Sequence, residues 1–173
     1  MAAPRLNSKR PAERMRHHTR RRTVKHHFEN HDLVTERGSQ LVDVTGEVHA
    51  AVERADVTNG MALVYSPHTT CAVVINEHES GFIEDFSDAL AELAPEEGRY
   101  YRHDDLDIRT EGLDDDDLHP NGHSHLRAGL LSSSSQAIPI VDGVLMLGRW
   151  QRVFFCELDR SRPRKIFIQV IGE

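Results

Sequence analysis

The dipeptide Asp142-Gly143 lies between two apolar, β-rich runs and restricts the fold of this chain more than any other feature. Residues 138–141 precede the dipeptide and residues 144–147 follow it. Asp-Gly favours a two-residue hairpin turn because both of its residues tolerate positive φ. Strands joined by such a turn are antiparallel neighbours, so the C-terminal third is predicted to form antiparallel sheet.

Strand patterns outnumber helix patterns along the rest of the chain. Further strands are predicted at residues 61–65, 71–75, 150–158 and 165–171, with weaker strand patterns at 23–34 and 41–44. Several of these strands follow one another closely, which favours antiparallel pairing. We therefore expect an α+β fold, a mostly antiparallel β-sandwich or barrel-like sheet with a few flanking helices.

Two helices are predicted from apolar spacing. A short one carries Val48, Val52 and Ala55, with Thr45 as its N-cap. The clearer one, after Ser80 as its cap, has an apolar stripe that ends before Pro95 and consists of Phe82, Ile83, Phe86, Leu90 and Leu93.

Charge divides the chain into a basic beginning and an acidic body. Nine basic side chains and one acidic give residues 1–25 a net charge of +8, whereas 12 basic and 27 acidic give the remainder −15. We expect residues 1–22 to form a basic, flexible tail and residues 23–173 to form a single domain. The acidic body argues against nucleic acid as a partner and leaves the tail as the segment suited to contact anions.

Hydropathy and cysteine content indicate the compartment. No run approaches the roughly 18 apolar residues of a membrane span, and the N-terminus lacks the apolar core of a signal peptide. Two cysteines do not make a disulfide framework. These features predict a cytoplasmic protein without a membrane partner.

Polar residues that could carry chemistry lie at the ends of predicted strands. His68 is followed by Thr69 and Thr70, whose hydroxyls could bind phosphate or orient the ring, but a turn with locally satisfied hydroxyls fits as well. Glu77 ends the next strand, where a carboxylate suits acid–base work. By spacing alone, a charge at a helix entry is the favoured interpretation of Glu77.

His103 and the pair His123-x-His125 form a second polar group. In an extended backbone, His-x-His puts both imidazoles on one face, and neutral imidazole suits zinc and similar metals. Solvated loop histidines are an equally good interpretation of the spacing. The sequence contains no Walker loop, Gly-x-Gly-x-x-Gly or Gly-x-Ser-x-Gly motif, so no nucleotide cofactor is expected.

Residues 23–173 resemble the YjbQ family, formerly UPF0047, whose members are often named secondary thiamine-phosphate synthase. The matching segments occur in the same order over most of the chain: Leu41-Val42-Asp43-Val44-Thr45, Ser66-Pro67-His68-Thr69-Thr70-Cys71-Ala72, Asn76-Glu77, His103-Asp104, Asn121 with His125-Leu126, Ile138-Pro139-Ile140, Gly143, Leu147-Gly148 and Trp150-Gln151. A match spread in this way is more specific than any single motif.

The resemblance implies an α+β homotrimer with its histidines in a cleft near subunit boundaries. It implies an activity that joins a pyrimidine-methyl diphosphate to a thiazole phosphate and releases diphosphate. The residues implied are Glu77, His68 and His125 as catalytic groups, Thr69, Thr70, Asn76, Asn121 and Gln151 as substrate and phosphate contacts, and His68, His103 and His125 as ligands of a divalent metal, zinc or magnesium.

Two alternatives to this transferase remain open at the level of sequence. One is a metal-dependent hydrolase or other enzyme acting on a phosphorylated ligand, and the other is a non-catalytic, ligand-binding trimer. One departure concerns the site, since Arg149 stands where the family usually has Thr, beside the pocket rim that the resemblance implies.

Overall fold

The computed structural model describes residues 23–36, 38–113 and 118–173. Its elements are, in order, β1 (Lys25–Val34), β2 (Gln40–Asp43), α1 (Thr45–Ala55), β3 (Gly60–Tyr65), β4 (Cys71–Glu77), α2 (Ser80–Leu93), α3 (Gly122–Leu131), β5 (Ser135–Val141), β6 (Val144–Leu145), β7 (Gln151–Glu157) and β8 (Pro163–Gly172). The predicted basic tail, residues 1–22, lies outside the described residues, so the division into tail and domain stays a prediction.

All strand pairs in the described part of the chain are antiparallel, and they fall into two sheets. Five strands lie in the order β1-β8-β3-β5-β6, and three lie in the order β2-β7-β4. The predicted hairpin is present between β5 and β6. Its turn has positive φ at Asp142 (51°) and Gly143 (77°), as a two-residue turn of this type requires.

The three-stranded sheet is the middle layer of the molecule. One of its faces packs with α1 against the five-stranded sheet, in a core that includes Val48, Val73, Phe155 and Ile168. Its other face is covered by α2 and α3, with contacts from Leu90, Phe86, Ala128 and Leu131. The middle of β7, Val153–Cys156, is buried on both faces, and all four of these side chains are apolar. The expectation of an α+β fold with antiparallel sheets and flanking helices is confirmed.

The helix caps lie one residue earlier than predicted. Thr45 is the first residue of α1 rather than its cap, and its Oγ1 accepts a hydrogen bond from the Val153 N–H at 2.9 Å. Glu79 caps α2, because its carboxylate accepts from the N–H groups of Gly81 and Phe82, both at 2.8 Å. A carboxylate satisfies these two donors and also interacts favourably with the helix dipole.

The segment that contains His123 and His125 is helical rather than extended. Side chains two residues apart on a helix point to different sides of it. His123 is therefore buried, 4% exposed, and shares a hydrogen bond with Ser124 Oγ, whereas His125 faces a cavity. Among the described residues, no helix is long and apolar enough to cross a bilayer.

Candidate functional site

A cavity of about 340 Å³ lies where the β3–β4 loop, the connection between α2 and α3, and the start of β8 meet. We call it the histidine pocket. It is lined by Pro67, His68, Thr69, Thr70, His103, Arg109, Gly112, Leu118, His119, Asn121, His125, Arg162 and Arg164. The structure thus brings together His68, Thr69, Thr70, His103, Asn121 and His125, which were predicted from sequence as site residues.

The β3–β4 loop supplies the first wall of the pocket. Pro67 follows the end of β3, and the His68 backbone N–H lies 3.4 Å from Ser66 Oγ. A main-chain hydrogen bond fixes the ring of His68, because the Lys165 backbone N–H donates to its Nε2 at 2.9 Å. Burial lowers the pKa of His68 below its ordinary value, and the nearby Arg164 guanidinium lowers it further.

Arg164 forms the floor of the pocket and is paired with a fully buried glutamate. Its Nε and Nη2 donate to the two carboxylate oxygens of Glu157, each at 2.6 Å. Nη2 also donates to Thr70 Oγ1 at 3.2 Å. Arg164 is 5% exposed and Glu157 is 0% exposed, so this bidentate pair is held in one geometry by its surroundings.

The start of α3 positions the second wall. Asp104 Oδ1 accepts hydrogen bonds from the backbone N–H groups of Asn121 at 2.9 Å and Gly122 at 2.8 Å. The Asn121 side chain then contacts His103, with 3.0 Å between Oδ1 and Nε2. The rings of His103 and His125 lie side by side, 4.4 Å between centroids. Burial and the adjacent His103 ring lower the pKa of His125.

Arg109 braces the connection that carries His103. Its guanidinium donates to the carbonyl oxygens of Glu111 at 2.9 Å, Gly112 at 2.9 Å and His103 at 3.2 Å. Three carbonyl contacts from one side chain explain how an irregular segment keeps a defined shape beside the cavity.

Six polar residues at the pocket were not predicted from sequence: Arg109, Arg164 and Glu157, described above, and His119, Arg162 and Asp159. His119 and Arg162 line the pocket, and both contact the buried carboxylate of Asp159: His119 Nε2 is 3.1 Å from Oδ1, and Arg162 Nη1 is 3.5 Å from Oδ2. His119, Arg162 and Arg164, which all line the cavity, are thus each paired with a buried carboxylate, that of Asp159 or Glu157. Hydrogen bonds to His119 and Asn121 hold the pKa of Asp159 below its ordinary value, against the effect of burial.

The described lining is cationic and polar. It contains three arginines and four histidines, and none of its described residues is acidic. Such a lining attracts an anion and opposes a bare cation. Its chemistry therefore matches the predicted phosphorylated ligand more closely than the predicted metal.

The side chains present do not fit the three-histidine metal set that the resemblance implies. Among the described residues, no group of three or more His, Cys, Asp or Glu is arranged to hold a metal ion. Nε2 of His68 also accepts a backbone hydrogen bond, so that lone pair is not available to a metal.

Glu77, Asn76 and Gln151 lie at the other end of the three-stranded sheet. Glu77 pairs with Gln151 in the β4–β7 ladder, six residues along β4 from Cys71, which is about 20 Å of strand. A second cavity, of about 370 Å³, is lined there by Glu77, His78, Arg149, Trp150 and Arg152. Within the described chain, these three predicted residues are therefore not brought together with the histidines.

Arg149, the predicted change at the pocket rim, is also at this far end. Its guanidinium carbon lies 4.6 Å from the centroid of the Trp150 ring, a cation–π contact on the surface. In this chain it therefore borders the second cavity and does not line the histidine pocket.

Fold and site together define a class of protein: a two-sheet α+β domain with a cationic, histidine-lined cavity between its sheets and the connection before α3. A family model described as UPF0047 protein YjbQ-like matches residues 29–173, and the chain belongs to that family.

Relatives and solved structures agree with this assignment. A UPF0047 protein of Archaeoglobus fulgidus is 38% identical over 139 residues, which are 80% of this chain and 97% of that protein. The UPF0047 protein YugU of Bacillus subtilis is 32% identical over 141 residues, 81% of this chain and 96% of that protein. The crystal structure of a YbjQ-like protein of unknown function from Sulfolobus solfataricus P2 aligns with a TM-score of 0.77 at 33% identity, covering 87% of this chain and all of that one.

Proposed function

We propose that this chain is an enzyme that binds a small phosphorylated substrate in the histidine pocket. The observation that carries the proposal is Arg164, which is 5% exposed and yet lines the cavity. A buried guanidinium that opens on a cavity suits an anionic oxygen, because a charge-assisted hydrogen bond in a site of low dielectric is strong. Thr69 and Thr70 add hydroxyl groups to the same wall.

The specific reaction we propose resembles that of a secondary thiamine-phosphate synthase. In it, the C–O bond between the pyrimidine methylene and the diphosphate breaks. The thiazole ring nitrogen forms the new C–N bond, and the bonding electrons leave with diphosphate. Negative charge builds up on that leaving group, so preorganised cationic donors lower the barrier. Arg164 and the other pocket arginines supply the positive charge that stabilises the leaving group, and His125 donates a proton to the departing oxygen and regains one from water afterwards.

Hydrolysis of a phosphorylated substrate is the second candidate. The described lining contains no Phe, Tyr or Trp on which a pyrimidine or thiazole ring could stack. This composition favours a smaller and more polar substrate than the two thiamine precursors. The adjacent rings of His103 and His125 would then activate a water molecule.

Assembly into a homotrimer is part of the proposal. The outer face of the five-stranded sheet exposes apolar side chains, with Phe28 52%, Met61 49% and Tyr65 39% exposed. Phe167 lies between Phe28 and Tyr65, at ring distances of 5.5 and 6.1 Å. A contiguous apolar face of this kind is typical of an interface, and a second copy of the chain is the occupant that we propose.

The test is an assay of the full chain with both thiamine precursors, with and without a metal chelator, alongside a panel of phosphate monoesters. We expect thiamine phosphate and diphosphate to form, and the rate to be unchanged by the chelator. His125→Ala should lower the rate at least about tenfold, the usual contribution of a general acid–base group being larger still. His49→Ala, on the exposed face of α1, is the matched control and should leave the rate unchanged.

Other outcomes distinguish the candidates. If inorganic phosphate is released from monoesters and no thiamine phosphate forms, the result would support the hydrolase and contradict the transferase. Phosphate binding without turnover of any substrate would leave the non-catalytic trimer. Loss of activity with the chelator, restored by zinc or magnesium, would overturn the metal-free site.

A further inference from the structure

His68 is held in a single protonation state by the backbone of β8. A backbone N–H can only donate, so the 2.9 Å contact from the Lys165 N–H requires a lone pair on His68 Nε2. In the neutral ring the proton then lies on Nδ1. If both ring nitrogens were protonated, the Nε2–H group would face the Lys165 N–H, and the two donors would repel each other. The lowered pKa of His68 agrees with a neutral ring.

The free side of His68 is therefore a hydrogen-bond donor. Nδ1 has no hydrogen-bond partner among the described residues, and no buried side-chain nitrogen or oxygen among them lacks one. Nδ1 must then be accessible, and His68 lines the histidine pocket. A ring with Nδ1–H and an occupied Nε2 can neither ligate a metal nor accept a proton without breaking its bond to β8.

Arg164, the residue before Lys165, also has a side-chain nitrogen that can donate into the pocket. Its Nε and Nη2 donate hydrogen bonds to Glu157, and Nη2 also donates to Thr70 Oγ1. Nη1 has no partner in the described part of the chain, so by the same reasoning it opens on the cavity. One short piece of β8 thus orients both groups, His68 through a main-chain bond and Arg164 as a side chain.

We propose that His68 Nδ1–H and Arg164 Nη1 form a fixed, metal-free donor pair for the terminal oxygens of a phosphoryl group. The inference rests on the proposed function and assigns His68 a role that differs from the metal ligand implied by the resemblance. Both groups can only donate, so the pair selects oxygens that carry no proton, as in the fully ionised end of a phosphate ester or diphosphate. Because neither group must rotate on binding, little ordering entropy is lost.

Nitrogen-15 NMR of the histidine side chains tests the tautomer directly on the full chain. We expect His68 Nε2 to have the signature of a lone pair and Nδ1 that of a bonded proton, with no change on addition of zinc or magnesium. Inorganic phosphate or diphosphate should shift the Nδ1 signal. A proton on Nε2, or a shift of His68 on metal addition, would overturn the inference.

Two substitutions of His68 separate a donor from a metal ligand. The amide nitrogen of His68→Asn can reproduce a donor near the position of Nδ1, whereas His68→Ala has none. We expect diphosphate affinity, measured by calorimetry, to be within about threefold of the original in His68→Asn and at least about tenfold weaker in His68→Ala. His49→Asn is the control and should bind normally.

The donor pair and the proposed function can be refuted separately. Equal losses in His68→Asn and His68→Ala, with phosphate binding intact in the original chain, would refute the donor pair alone. If neither phosphate nor diphosphate perturbs any pocket resonance of the original chain, both the donor pair and the proposed function are refuted.

Discussion

Glu157 and Arg164 are charged residues at positions that would otherwise belong to the apolar core. Glu157 is the last residue of β7 and ends its buried run, and Arg164 alternates with Ile166, Ile168 and Val170 on the inward face of β8. Burying either charge alone is costly, so each is retained only because the other is present. The pair keeps the Arg164 guanidinium in a fixed position at the floor of the cavity. Hydration by water alone would not fix it there.

Glu157→Gln should destabilise the protein by about 3 kcal/mol, because it leaves the buried Arg164 guanidinium without a counter-charge. Denaturant unfolding measures this loss. Glu84→Gln removes an exposed carboxylate of α2 and should change the free energy of unfolding by less than about 0.5 kcal/mol. Similar effects of the two substitutions would show that the buried pair is not the reason for the loss.

Stability should fall as the pH is lowered through about 6.5. Burial lowers the pKa values of His68, His123 and His125 in the folded state, whereas in the unfolded chain they lie near 6.5. Between these values only the unfolded chain takes up protons, so stability present above pH 6.5 is lost below it. The melting temperature should therefore be lower at pH 5.5 than at pH 7.5. His123→Gln should reduce this dependence, and an unchanged slope would contradict the assignment.

At the scale of elements, α3 depends on close contacts at its first turn. Gly122 lies against Tyr101, and a Cβ at Gly122 would be 2.6 Å from the Tyr101 Cβ. Nothing surrounds the corresponding position of Gly129, on the exposed side of the same helix. Because Gly122 lies this close to Tyr101, the connection that carries His103 packs against the helix that carries His125.

Alanine at the two glycines of α3 should have opposite effects. Gly122→Ala overlaps Tyr101 and should destabilise the protein by about 2 kcal/mol. Gly129→Ala should stabilise it by up to about 1 kcal/mol, because alanine has the higher helix propensity. Thermal unfolding compares both with the original chain. Stabilisation by both would mean that Tyr101 moves away without cost.

Turn chemistry and alternation are local, so the antiparallel strands and the Asp142-Gly143 hairpin could be predicted from sequence. The helix at residues 122–131 could not, because two of its first four residues are histidines that also suit a loop. His68, His103 and His125 were assigned to the site through the family resemblance, because their spacing alone fitted loop residues equally well. Arg164 and Glu157 were missed because they meet only where β7 and β8, from different sheets, come together. A charged residue at an apolar position of a strand was the signal available.

At the scale of the whole molecule, the proposed homotrimer would account for both the apolar face and the far cavity. The outer face of the five-stranded sheet exposes Phe28, Met61 and Tyr65 around Phe167. Glu77 and Gln151 lie at the opposite end of the three-stranded sheet from the histidine pocket. In the proposed homotrimer, their predicted role in the site requires that one copy contribute them to the pocket of another.

Phe167→Glu should separate the proposed trimer into monomers, because a charge at the centre of an apolar interface cannot be solvated there. Light scattering at micromolar concentration measures the mass. Leu93→Glu, which changes an apolar side chain of α2 that is 60% exposed, should keep the mass of the original assembly. A trimer that survives Phe167→Glu would show that the interface lies elsewhere.

Mixed assemblies should show whether the site is shared. Glu77→Gln and His125→Ala should each be poorly active in the assay proposed above, Glu77→Gln through turnover more than affinity. If one copy completes the pocket of the next, mixing the two variants after dissociation should restore activity that neither has alone. Absence of recovery, in mixtures shown by mass spectrometry to contain both chains, would place Glu77 outside the reaction.

The histidine pocket is built from two kinds of wall. His68 and Arg164 are fixed by strands, whereas His103, Arg109 and His119 come from the long irregular connection between α2 and α3. Insertions and substitutions accumulate more readily in such a connection than in a paired strand. We therefore expect that changes in this connection would reshape the wall that carries His103 and His119, and that the strand-held wall with His68 and Arg164 would keep its geometry.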